Sequence, residues 1–366
     1  MNNILFVYQI RELATCWRTT VSTMDNASHS SSQWLFALSA LNGTPSTCSR
    51  EKELYERARG VEFLFRLGSS LALPTSAMCT AATWFHRFYM RFSMDDFHRQ
   101  DVAASCIFLA TKTEECGRKL RDVSRVYQAK VQGVDVATIP LESKDVDQCQ
   151  AAILLTEEVL LEALCFDFVV ESPHAELLDL FESLGTDLEV QEYAWSLAHD
   201  SYRTPLSILY TPRVIAIACY VLAQRIVDGP NSPSLDARIS ASSPSKSLPT
   251  PPSHQPASPD ASRAVVDHYN LQESDVVHVS EALDIILEFY SVQDQNQIPY
   301  LTSILAVPPP TRRSHRDTFF VPRSQLDAPL PVATESQPGN QDGLGRTPSS
   351  SHGGRTPLAP DQMNVD

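Results

Sequence analysis

From about Arg50 onward, apolar residues recur at three- and four-residue spacing, the period of a helix that buries one face. Leu54, Ala58, Val61, Phe65, Gly68 and Leu71 form the first stripe, which Pro74 closes. Met78, Ala82, Phe85, Tyr89 and Phe92 form the second, and the proline ahead of it suits a first helical turn, where an N–H has no partner in any case. Between Val102 and Ala110 every position is apolar or small, so that helix must be surrounded by others. Leu120, Val123, Val126 and Tyr127 predict a fourth helix. The leucine-rich stretch from Ile153 to Leu164 predicts a fifth, ending at Phe166-Asp167-Phe168 ahead of Pro173.

The plan then repeats. Residues 174–184 and 188–201 predict amphipathic helices, and Val214 to Ala223 is again apolar on every side. After Val227 the chain turns to Gly, Pro, Ser and Thr as far as about Ser262, too poor in apolar surface to order itself. Helical pattern returns in Val276, Val279, Ala282, Leu283, Ile286, Leu287 and Tyr290. The expected fold is therefore all-α, two five-helix bundles in tandem. The expected boundaries are a disordered N-terminus at 1–33, an N-terminal segment plus first bundle at 34–169, and a second bundle at 170–292 interrupted by a disordered insertion at 228–266. A C-terminal tail at 293–366 is expected to be disordered beyond 308. Twenty-five prolines in 366 residues agree with a fold that occupies only part of the sequence.

A formal charge of -15 opposes tight nonspecific binding to a phosphate backbone, so direct DNA binding is not expected. The eight cysteines show no C-x-x-C pair and no histidine at zinc-ligand spacing. They read as free thiols in a reducing compartment, several of them small core hydrophobes, and no metal or other cofactor is expected. The longest apolar run within the chain, Val214 to Ala223, is about half a membrane span, and the Ile4-Leu5-Phe6-Val7 run lacks the basic start of a signal peptide, so no membrane partner is expected.

Four stretches give the plan a family. They are Gly60-Val61-Glu62-Phe63-Leu64-Phe65-Arg66-Leu67-Gly68, Phe85-His86-Arg87-Phe88-Tyr89-Met90, Cys106-Ile107-Phe108-Leu109-Ala110-Thr111-Lys112-Thr113-Glu114-Glu115, and Phe166-Asp167-Phe168. In order and spacing they resemble transcription-type cyclins of the K and T kind, and Trp34 followed by Thr44-Pro45-Ser46 looks like the N-terminal segment of the same group. The resemblance runs from about Trp34 to Val227, with a weaker return near 276–291. Where cell-cycle cyclins carry a Met-Arg-Ala-Ile-Leu substrate-docking run, this chain has Glu56-Arg57-Ala58-Arg59-Gly60, too polar for an apolar groove. His86 stands where they have Asp, beside the shared Arg87.

The resemblance implies a double cyclin box and a non-enzymatic regulatory subunit. Its implied partner is a cyclin-dependent serine/threonine kinase, bound as a heterodimer in the nucleus and acting on the C-terminal repeats of RNA polymerase II, so that the polymerase machinery is reached indirectly. It also implies kinase-binding roles for Lys112, Glu157, Phe168 and Phe166, with Thr113, Glu114 and Glu115 on the rim. A plain exposed ion pair is the alternative for the first two, yet Glu157 lies between Ile153-Leu154-Leu155 and Leu160-Leu161, where an unpaired carboxylate costs a few kcal/mol. For Phe166, core filling and partner contact both stay open. Phe168, on the other side of an alternating pair, is expected to be the one exposed. The rim acids could equally be a solvated helix end.

Rival readings want features this sequence lacks. An enzyme wants a nucleophile paired with one of the ten histidines, a Gly-rich phosphate loop or H-E-x-x-H. A cyclin-fold general initiation factor contacting promoter DNA wants an N-terminal zinc ribbon and basic helices. Two further expectations concern the polar regions. Residues 1–23 match nothing in the family, and Met24-Asp25-Asn26-Ala27-Ser28 reads like an ordinary beginning. Ser243, Thr250, Ser258, Thr347 and Thr356 each precede Pro and are candidates for proline-directed phosphorylation.

Overall fold

The computed structural model describes residues 31–229, 261–294, 298, 300–310 and 318–326. Among these the regular structure is helical, without a strand. The first bundle comprises α1 (Arg50–Ser70), α2 (Thr75–Phe88), α3 (Arg99–Thr113), α4 (Leu120–Gln132) and α5 (Lys144–Ala163). The second comprises α6 (Pro173–Leu184), α7 (Leu188–Ser201), α8 (Pro212–Asp228), α9 (Ala261–Tyr269) and α10 (Glu273–Ser291).

Local chemistry sets the ends of these helices. Ser49 and Ser143 accept the Lys52 and Val146 amides at the starts of α1 and α5, satisfying N–H groups that have no partner within the helix. Pro173 and Pro212 occupy first-turn positions behind Ser172 and Thr211 caps. Gly133 and Gly185, at φ of 68° and 60°, close α4 and α6 in the left-handed conformation that costs glycine little.

Each bundle is organised around its all-apolar helix. α3 packs on α1, α2, α4 and α5, and Val102 to Thr111 are buried without a break. α8 packs on α6, α7, α9 and α10, with Val214 to Ala223 buried in the same way. α1 and α2 approach closely at Gly60, where a Cβ would stand 2.2 Å from Phe85 Cζ. Buried polar groups join the bundles. His86 Nε2 lies 2.9 Å from the Tyr202 carbonyl, and the Phe65 ring meets that of His199, tilted by 43°, at 4.4 Å. Arg57, 1% exposed, pairs with the equally buried Glu53 and donates to the His86 and Tyr89 carbonyls. The Glu56–Gly60 stretch is thus less exposed than its polarity predicts, because the i, i+4 Glu53–Arg57 pair neutralises itself inside the fold.

Three expected boundaries need correction. Helix α9 begins at Ala261 and buries Val265, so the insertion expected to run to 266 ends earlier; its residues 230–260 lie outside the described set. Disorder beyond 308 fails at Phe319 and Phe320, which are 2% and 5% exposed in the second core. Both of their amides donate to Glu288 Oε1, at 2.5 and 2.8 Å, and Phe320 packs edge-on to Phe289. Two adjacent aromatics bury enough apolar area to hold a short segment within an otherwise polar tail. At the other end, residues 31–33, expected to be disordered, lie in a 3-10 turn, Ser31–Trp34. Residues 1–30 lie outside the described set.

Candidate functional site

α3 and α5 lie side by side, and the last turn of α3 carries Lys112 to the middle of α5. Lys112 Nζ donates to both carboxylate oxygens of Glu157 at 2.7 Å. The partners differ in setting, the lysine side chain being 48% exposed and the glutamate 7%. Glu157 falls in register with Ile153 and Leu160 on the inward face of α5, which explains its burial. Lys112 lays its charge over the Phe108 ring, 4.2 Å from the centroid, and keeps its head at the surface. Two of its three hydrogens serve Glu157, leaving a third for a partner. A half-exposed pair of this kind stabilises the fold by only about 0–1 kcal/mol.

Phe166 and Phe168 do not alternate as expected. Phe166 is 65% exposed, whereas Phe168 is half-buried with its ring edge-on to the fully buried Trp84 at 5.9 Å. The cause is the backbone. Cys165 and Phe166 follow α5 with φ of 51° and 57°, so the chain reverses through two left-handed residues in place of an extended strand. Their amides close onto Glu162 and Leu161 carbonyls, and the turn throws Phe166 outward. Left-handed backbone at non-glycine residues costs about 1–2 kcal/mol each and persists where surroundings impose it.

Those surroundings are an aromatic and basic cluster. Asp167 Oδ2 accepts from the Trp34 indole at 2.9 Å and from the Gln33 side chain, while its Oδ1 accepts the Val169 amide. The guanidinium groups of Arg87 and Arg91 lie 4.8 and 5.3 Å from the Trp34 ring centroid. Arg87 also donates twice to the Val169 carbonyl. Burial brings the Arg87 guanidinium down to about 10, with Asp167 opposing the fall, so it stays charged at neutral pH.

The residues expected at the rim differ in setting. Thr113 and Glu115 are exposed, Glu115 in a left-handed turn, and Glu114 is half-buried and accepts from the Thr80 hydroxyl at 2.9 Å. Sequence reasoning missed Leu154 and Leu155, which it counted with the apolar seam around Glu157. They are 47% and 66% exposed on the outer face of α5. The signal was available, because three consecutive apolar residues on a helix cannot all face one core. The five phosphorylation candidates, Ser243, Thr250, Ser258, Thr347 and Thr356, lie outside the described residues.

Burial pushes His86 down to about 3, with the Arg57 charge acting in the same direction, and pushes His174 to about 3, so both are neutral core groups. Among the described residues no group of His, Cys, Asp and Glu could hold a metal ion, and no helix is long and apolar enough to cross a membrane. The site thus brings together the Lys112–Glu157 pair, two exposed leucines on α5 and an exposed phenylalanine in the turn that follows it.

Residues 39–169 match the family described as cyclin, N-terminal domain. Cyclin pch1 of Schizosaccharomyces pombe is 38% identical over 207 residues, 56% of this chain and 60% of that protein. Cyclin-K of Danio rerio is 32% identical over 207 residues, 55% of this chain and 47% of that protein. The chain thus spans about half the length of these two relatives. In fold it is similar to a chain of the yeast RNA Pol II CTD kinase CTDK-1 complex, with a TM-score of 0.52 at 18% identity, covering 79% of this chain and 85% of that one.

Proposed function

We propose, from the match of residues 39–169 to the family described as cyclin, N-terminal domain, that the protein is the regulatory subunit of a cyclin-dependent kinase that phosphorylates the C-terminal repeats of RNA polymerase II. It works in the nucleus and performs no chemistry itself. The observation that carries this reading is the Lys112–Glu157 pair, whose glutamate shares α5 with the exposed Leu154 and Leu155 and lies ahead of the exposed Phe166. Exposed large apolar side chains beside a polar anchor are what a protein interface needs and what a solvated surface avoids. The polymerase substrate rests on the resemblance to transcription-type cyclins of the K and T kind, with which the similarity to Cyclin-K is in line.

Activation is then a shift of population. A kinase samples inactive and active arrangements, and a ligand favours whichever it binds better. The active one requires a Lys–Glu pair and a magnesium-binding Asp in place together, the Glu carried on a movable helix. Phe166 and the two leucines supply the apolar surface against which such a helix packs inward. Lys112 offers its remaining hydrogen to a partner carbonyl or carboxylate and fixes the register.

Isolation of the tagged full chain from its own cells, with identification of what accompanies it, tests the reading. A cyclin-dependent kinase in stoichiometric amount is expected. Recovery of promoter DNA and initiation proteins without a kinase would overturn it in favour of the initiation-factor alternative.

A further inference from the structure

We infer that Trp34 is a positioning residue for partner binding, a clamp that holds the 165–168 turn so that Phe166 stands outward. The inference rests on the kinase-binding reading of that turn. Phe166 has little of its own to hold it, its ring meeting only Phe168, at 6.4 Å, among the ring contacts of the described residues. Its direction is therefore set by the backbone at Cys165 and Phe166, which are left-handed without being glycine.

Asp167, the next residue, is the point at which that backbone is tied down. One carboxylate oxygen takes the Trp34 and Gln33 donors from a segment 133 and 134 residues away, and the other takes the Val169 amide. Trp34 is itself 3% exposed beneath Arg87 and Arg91, and Arg91 reaches the Cys165 thiol at 3.0 Å. Two residues on, the Phe36 amide donates to the Ile208 carbonyl of the second bundle at 2.8 Å, and Phe36 and Leu38 pack against that core. The segment from Gln33 to Leu38 thus runs from the turn to the second bundle and anchors at both ends. An indole is suited to this place because its ring serves two guanidinium groups while its one donor serves a carboxylate.

The test separates positioning from general stability by comparing Trp34→Phe, which keeps a ring over the arginines and removes the donor, with Asp167→Ala, which removes the acceptor. In the free chain, amide exchange at Phe166 and Asp167 should quicken by about tenfold in both variants, the scale of one charge-assisted hydrogen bond, while exchange in α3 stays unchanged. Kinase affinity should fall by about tenfold in either variant. Placed on a Phe166→Ala background, the same changes should cost less than about twofold, because the group they orient is gone. Unchanged exchange at the turn, or an equal loss of affinity on both backgrounds, would overturn the inference. A wild-type chain that binds no kinase would instead sink the proposed function, and the exchange measurement would still decide whether Trp34 holds the turn.

Discussion

Exchanging the charges of Lys112 and Glu157 separates the interface from the fold. The single change Lys112→Glu sets a second carboxylate against one that is 7% exposed, in place of a cation at 2.7 Å. At about 4 Å and an effective dielectric near 20 the repulsion is about 4 kcal/mol, and solvent screening at the half-exposed position cuts it to about 1–2 kcal/mol. For a helical unit of this size that is a fall in melting temperature of roughly 2–8 °C. The double change Lys112→Glu with Glu157→Lys restores opposite charges across the same gap, so melting should return to within about 2 °C of the parent. Kinase binding should not return, because the sign presented to the partner is inverted. A charge group misplaced at a desolvated interface costs about 2–5 kcal/mol, some 30- to 5,000-fold in affinity. Calorimetry gives the melting temperatures and titration against purified kinase gives the affinities. An exchanged pair that binds as tightly as the parent would refute the interface argument, and one that melts as low as the single variant would refute the account of the pair in the free chain.

Other outcomes follow from the core. His86 and His174 are held neutral with values of about 3, below the ordinary 6.5, so the unfolded chain binds protons that the folded chain does not; stability should be full above about pH 6.5 and fall as pH drops toward 3, by up to about 1.4 kcal/mol per pH unit for each, measurable as urea midpoints across pH. Gly60→Ala drives a methyl into the rigid, fully buried Phe85 ring and should cost about 1–3 kcal/mol despite better helix propensity, whereas Gly68→Ala meets the flexible Met78 and should cost less in the same denaturation assay. Phe320→Ala should destabilise by about 3–5 kcal/mol, since that ring fills the second core; a loss below 1 kcal/mol would show the segment to be merely laid on the surface.

How much of this could be read from residues alone depended on the range of the interaction. Helices were legible because their signal is local: Val102 to Ala110, apolar all round, became the buried interior of α3, and Val214 to Ala223 that of α8. Lys112 and Glu157, 45 residues apart, were paired by family resemblance, and the structure brings them into contact. The geometry of Phe166 and Phe168 was misjudged because two left-handed residues without glycine leave no local mark, and the Trp34–Asp167 bond that holds them spans 133 positions. Phe319-Phe320 was lost in a polar, proline-rich context because two apolar residues have no period, and only the receiving surface of α10 shows why they are buried.

The most direct measurement of the central claim is the phosphorylation rate of polymerase C-terminal repeat peptides by the co-purifying kinase, assayed alone and with increasing amounts of the full chain. The account predicts negligible activity without the chain, saturation at one chain per kinase, and loss of that activation with the exchanged Lys112–Glu157 pair. Equal activity with and without the chain, or activation that survives the exchange undiminished, would contradict it.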